Sequence, residues 1–175
     1  MARVPLIGEQ DLPGPDALVE RIKAERGGRL LNLYRALLNS PPLAEGWLKL
    51  FTAIRQQSKL EGGARELAIL RVAILNRARY EYDAHLPHAL RAGITQQKID
   101  ALPGWQVSSL FSDAERAVLA YTDAMTTQVE VPEEIFGAVK RHFGDREIVE
   151  LTATIGGYNL VSRVLVALAI DPEQH

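Results

Sequence analysis

The stretch ARELAILRVAILNRARYEYDAHLPHALRAG, residues 64–93, decides the fold of this chain. Its first half, residues 64–77, is apolar on almost every face. Leu67, Ile69, Leu70, Val72, Ala73, Ile74 and Leu75 leave only a narrow polar stripe of Glu66, Arg71 and Arg77. A helix apolar nearly all round is a buried helix. The second half, residues 80–92, reads as another helix that Gly93 ends by supplying a left-handed residue. Glu81 and His85 stand four residues apart on it, so they share a face and can meet. Glu66 lies one helix earlier. The spacing predicts an antiparallel helical hairpin on which Glu66 and His85 converge.

Outward from this hairpin the helical period continues. Pro15-Asp16 opens a short helix to about Arg26, with proline near the first helical position and Gly27-Gly28 ending it. Leu30, Leu31, Tyr34, Leu37 and Leu38 mark a helix over 29–39, broken by Ser40-Pro41-Pro42. Leu43, Trp47, Leu50, Phe51 and Ile54 carry another to about Ser58. Thr95 can cap a short helix at 96–101, and Pro103-Gly104 marks a turn. Ser112-Asp113-Ala114-Glu115 is a capping box, Pro132 opens a further helix, and Asp145 can cap the last one, to about Ile170. Gly156-Gly157 inside that last helix costs roughly 1 kcal/mol per glycine, which predicts close packing or a kink. No run alternates with period two. The fold class is all-α, with seven to nine helices and short connections. Residues 1–14 read as an arm and 15–175 as one domain. Ala64-Arg65-Glu66-Leu67 with Tyr80-Glu81 is faintly echoed by Asp145-Arg146-Glu147-Ile148 with Tyr158-Asn159, which suggests a duplicated hairpin.

Composition narrows the chemistry. The 175 residues include no cysteine, which removes disulfides, thiolate metal sites and nucleophilic or redox thiols. The net charge is −2, with acids and bases interspersed, and no basic run or basic-aromatic platform points to nucleic acid. The first twenty residues lack a long apolar core and carry acids early, so no secretory leader and no membrane span are expected, and a cytoplasmic protein is.

The string RELAILRVAILNRARYEYDAHLPHALRAGIT resembles the carboxymuconolactone decarboxylase and alkyl hydroperoxidase D-like family. His85, Ala89 and Gly93 match the four-residue steps of that family's thiol branch. Its Glu falls on Glu66, and its two cysteine positions fall on Ala78 and Glu81. The acid and the histidine are kept while both thiols are gone, which is similar to the thiol-free decarboxylase branch. The segment REIVELTATIGGYNLVSRVLVAL is similar to a second segment of cysteine-free relatives. The resemblance implies an all-helical fold, a homo-oligomer (trimer or hexamer), no cofactor, and a small carboxylated substrate.

The resulting expectation is a cofactor-free carboxy-lyase acting on a small lactone acid or related organic acid. It needs a carboxylate anchor, a low-dielectric pocket, and an acid that protonates the distant carbon. His85 is expected as proton donor, Glu81 as its orienter, and Glu66 as a second relay or electrostatic group. Arg71 or Arg77 is the expected anchor, because guanidinium matches carboxylate geometry bidentately. Tyr80, His88 and Asn159 complete the expected substrate-binding set. A metal is not expected, since Glu81, His85 and His88 lack the Glu-x-x-His spacing of di-iron bundles. Two other readings stand beside this one. The first is a non-catalytic helical oligomer binding a small apolar acid. The second is hydroperoxide reduction, which the absence of any thiol disfavours.

Overall fold

A computed structural model describes residues 1–12 and 16–173, and among these every regular element is helical, nine of them α-helices. The expected all-α class stands. The described chain groups into two compact units, Met1–Gln57 with Val164–His175, and Ser58–Arg163.

The first unit holds α1 (Ala17–Glu25), α2 (Asn32–Leu37), α3 (Pro41–Thr52) and a π-helical turn, Ala53–Gln57. Asp16 caps α1 by accepting from the amides of Leu18 and Val19; the expected contribution of Pro15 lies outside the described residues. Gly27 and Gly28 end it at φ +72° and +81°, a region that costs an L side chain energy. Pro41 and Pro42 do more than break α2. They occupy the first turn of α3, where their missing amides would have had no helical partner. Ile22, Tyr34, Trp47, Leu48 and Phe51 form the buried interior of this unit. The arm lies along its own unit. The amide of Arg3 donates to the Leu168 carbonyl at 2.8 Å and that of Ile7 to the Arg35 carbonyl at 3.0 Å.

The second unit is built on α4 (Gly62–Leu75), which packs against both α5 (Arg79–Arg91) and α7 (Asp113–Thr127). Here α6 (Gln96–Ala101), a 3-10 segment (Leu102–Val107), α8 (Glu133–Lys140) and the long α9 (Asp145–Ala167), as far as Arg163, complete the order. Leu67, Leu70, Ala89, Ile99, Leu102 and Leu119 form one buried cluster. A side chain of this kind contributes about 1.5–3 kcal/mol when fully buried. Glu61, expected as punctuation, caps α4 through the amides of Gly63 and Ala64. Gly93, at φ +88°, closes α5. Its amide donates to the Leu90 carbonyl and that of Ile94 to the Ala89 carbonyl, the paired bonds of a Schellman end. The capping box at Ser112 and Glu115 forms as the sequence predicts.

Two expectations need correction in α9. Ile148 donates to the Gly144 carbonyl, while the Glu147 carboxylate accepts from the Gly144 amide. Gly144 therefore stands at the cap, and Asp145 is the first helical residue. The echo of the hairpin also fails, because residues 145–159 lie on one continuous helix. A Cβ at Gly156 would meet nothing within 4 Å, so nothing among the described residues demands a glycine there.

Glu150 fastens α9 to the segment that leads into α4. Its carboxylate accepts from Ser58 Oγ at 2.9 Å and from the amides of Lys59 at 2.8 Å and Leu60 at 2.9 Å, and Arg146 Nε donates at 2.9 Å. The bond from Arg146 leads, burial opposes it, and the donors of Ser58, Leu60 and Lys59 add to it, lowering the carboxyl from 4.5 to about 2. A carboxyl depressed on folding adds stability that is present above its unfolded value and is lost as pH falls through the folded one. Glu150→Gln should therefore melt lower than the parent at neutral pH, with the two melting curves converging as pH falls from about 4.5 to about 2. An undiminished difference near pH 2 would contradict the assignment.

Candidate functional site

The site begins on a helix buried on almost every face. Glu66 sits in the second turn of α4, and its side chain is 5 % exposed. α5 returns beside it and brings in Glu81 and His85, each buried to a similar degree. Three ionisable groups at this depth require one another, because an isolated buried charge costs several kcal/mol. The imidazole takes the central place. His85 Nδ1 lies 2.7 Å from Glu66 Oε2, and Nε2 lies 3.3 Å from Glu81 Oε1. The two carboxylates thus bracket the ring, one at each nitrogen.

The two contacts differ in kind. Glu66 comes from the neighbouring helix at the distance of a charge-assisted bond. Glu81 comes from the preceding turn of the same helix, at a looser distance set by the helical spacing. Burial pushes the Glu66 carboxyl upward. The hydrogen bond from His85 and the charges of His85, Arg65 and His88 outweigh it, so the carboxyl lies below its ordinary 4.5. Ionised Glu66 accepts only, which fixes the proton of that bond on Nδ1. The other nitrogen is then the one that can give or take a proton toward Glu81. Glu66, and not the Glu81 expected to orient the ring, makes the closer contact with it.

Further contacts hold the ring. Tyr158 from α9 presents an edge-on aromatic contact, with ring centroids 5.0 Å apart and planes at 87°. His88, one turn on and half-buried, has its ring centroid 5.4 Å from that of His85. Arg65 Nε stands 3.5 Å from Glu66 Oε1. Neither Tyr158 nor Arg65 is foreseen as a site residue by sequence reasoning. The available signal was adjacency: Arg65 precedes Glu66 and Tyr158 precedes Asn159.

The remaining expected residues go elsewhere. Arg71 is five residues beyond Glu66, about 140° round the helix. Its guanidinium clasps Asp123 bidentately at 2.6 and 2.9 Å and donates to the carbonyls of Leu102 and Pro103. Trp105 Nε1 and Gln106 Nε2 donate to the same carboxylate. These bonds clamp α4, α7 and the 3-10 segment together. Arg77 is exposed in the turn between α4 and α5, at φ +55°. Tyr80 is half-buried near the start of α5. Asn159 ties helices together instead of touching the imidazole. It donates to Thr126 Oγ1 and the Ile155 carbonyl and accepts from Asn76 and Arg163. Among the described residues, no three His, Asp or Glu side chains are arranged to hold a metal ion. No helix there is long and apolar enough to cross a membrane.

Comparison with known proteins agrees with this architecture. Residues 41–124 match the model of the carboxymuconolactone decarboxylase family. The uncharacterized protein YnjA of Escherichia coli strain K12 is 33% identical over 130 residues, spanning 73% of this chain and 68% of that protein. A solved Agrobacterium tumefaciens protein of unknown function, a candidate antioxidant defence protein AhpD, is 29% identical with a TM-score of 0.74, over 79% of this chain and 96% of its own. The debrominase Bmp8, solved with 2,3,4-tribromopyrrole, shares the fold at a TM-score of 0.80 and 21% identity, over 97% of this chain and 91% of its own.

Proposed function

Because this chain belongs to the carboxymuconolactone decarboxylase family, we propose that it is a cofactor-independent carboxy-lyase acting on a small carboxylated lactone or related organic acid. The observation that carries the reading is the imidazole bracketed by two buried carboxylates. Loss of CO₂ from such a substrate leaves the electron pair of the broken C–C bond in a dienolate, and a carbon of that system must then take a proton. Glu66 holds the ring and its Nδ1 proton, while Nε2 supplies the proton on the side where Glu81 stands. A low-dielectric surrounding strengthens both interactions. Arg65 replaces Arg71 as the cation assigned to the substrate carboxylate, being the guanidinium beside the cluster. Reduction of hydroperoxides through a thiol cycle would need cysteines, and the sequence has none. The test is a screen of small carboxylated lactones and β-keto acids for CO₂ release. Release from none of them, with a correctly folded protein, would remove the reading.

One observation favours a second reading, a helical oligomer that binds a small apolar acid without turning it over. His85 is only 4% exposed and both its nitrogens are engaged, as a structural histidine would be. Binding of such acids without CO₂ release would select it. Under either reading the chain is proposed to form a homo-oligomer, a trimer or hexamer. In support, Val149 and Leu160 on α9 are 67% and 45% exposed, apolar surface that a partner would cover. A monomer by sedimentation velocity at micromolar concentration would contradict this.

A further inference from the structure

The buried cluster poses a problem of supply. Each decarboxylation consumes one proton: the C–C bond breaks, CO₂ leaves, and the carbon that keeps the electron pair takes H⁺ from the enzyme. A donor at His85 must recover that proton from water before the next turnover, yet Glu66, Glu81 and His85 are each only 4% exposed. Glu66 and Glu81 hold the ring but are no closer to solvent than it is.

We infer that His88 is the group through which this cluster exchanges protons with solvent, an inference that rests on the carboxy-lyase reading for its use but not for its geometry. Three observations carry it. His88 lies one turn beyond His85 on α5, so both rings project over the same side of the helix. Their centroids are 5.4 Å apart and their planes tilted by 38°, a gap closed by a modest ring rotation or one bridging water. His88 is half-buried, whereas its neighbour Arg91 is exposed, so the pair runs from the cluster to the surface.

Arg91 sets the direction of the relay. Its NH2 group lies 3.0 Å from His88 Nδ1. A guanidinium only donates, so Nδ1 accepts and the ring proton of His88 rests on Nε2. The relay step is then balanced. His88 takes a proton from water or a buffer acid at Nδ1 as Arg91 moves aside, and the resulting imidazolium passes its Nε2 proton to the proton-deficient cluster; the ring ends neutral, and Arg91 returns once the Nδ1 proton shifts back to Nε2 through solvent. His88 acts through His85 and does not touch the reacting carbon.

The test has two arms, and the first needs no substrate. His85 Nδ1–H, bonded at 2.7 Å to Glu66, gives a ring N–H signal whose exchange with water can be followed by proton NMR. In His88→Gln this exchange should slow by roughly tenfold or more. Arg91→Met, which frees the His88 tautomer, should alter the rate without loss of the signal. A merely structural role for His88 predicts the opposite sign, because loosening the site speeds exchange; equal or faster exchange in His88→Gln overturns the inference. The second arm uses an identified substrate. Steady-state turnover of His88→Gln should fall roughly tenfold in dilute buffer while the first turnover proceeds at the parent rate, and added imidazole should restore the steady state. A first turnover slowed as much as the steady state also overturns it. Slowed exchange in a protein that releases CO₂ from no substrate would refute the carboxy-lyase reading and leave the proton route standing.

Discussion

His85→Gln is expected to abolish decarboxylation while the helical fold persists. Glutamine is close in size and keeps a hydrogen bond, but it carries no transferable proton at neutral pH. A positioned acid or base contributes roughly 10²–10⁴-fold, about 3–5 kcal/mol of barrier, and that is the loss to expect. The variant will also lose some stability. In the parent the ring satisfies carboxylates at both nitrogens, at 2.7 and 3.3 Å, whereas an amide offers donors at one end only. The decisive measurement therefore pairs turnover with melting temperature. A drop in melting temperature with turnover unchanged would leave His85 a structural residue. Glu66→Gln should share much of the loss of turnover, because the amide can donate to Nδ1 as well as accept from it and so releases the ring from a single tautomer. Glu81→Gln, which alters the looser contact, should cost less than His85→Gln.

Arg71→Met is expected to give the largest loss of stability. Its guanidinium is 7% exposed and makes two bonds to Asp123 and two to backbone carbonyls. Removing it leaves a carboxylate that keeps only the donors of Trp105 and Gln106. Breaking a buried pair by deleting one partner costs about 3–5 kcal/mol. The 22% exposure of Asp123 puts the expected loss at the lower end, about 3 kcal/mol. For a chain of this length that is roughly 6–12 °C in melting temperature. Below the transition, KM for any identified substrate should match the parent. A tenfold rise in KM with the melting temperature unchanged would return Arg71 to the role of anchor that its residue type suggests.

The divide between these two residues shows where sequence reasoning stops. The apolar pattern marked a buried helix from residue 64, which the structure ends at Leu75, two residues before the expected 77; cap chemistry marked Gly93 as the end of the next helix and Ser112 with Glu115 as a capping box. Each follows from interactions within a few residues, and such interactions are written directly in the sequence. The meeting of Glu81 with His85 is of the same kind, being one helical turn. The convergence of Glu66 on His85 was also legible, because a lone carboxylate on an apolar helix needs a partner and the hairpin supplies one. The partner of Arg71 was not legible. Asp123 lies 52 residues away, and its arrival is decided by the packing of α7 on α4. Arg71 was expected to hold a carboxylate, and the rotation of α4 about its axis turned it toward Asp123 while Arg65 lies beside Glu66. Which carboxylate comes closer to the ring was likewise tertiary. Glu81 is held to a 3.3 Å approach by its own helix, while Glu66, free to approach from a neighbouring helix, reaches 2.7 Å and accepts the Nδ1–H bond. The sequence determined which groups had to be paired, because burial leaves a charge no alternative. The tertiary structure decided which pairs formed, because that depends on the angle and offset at which separately determined helices meet.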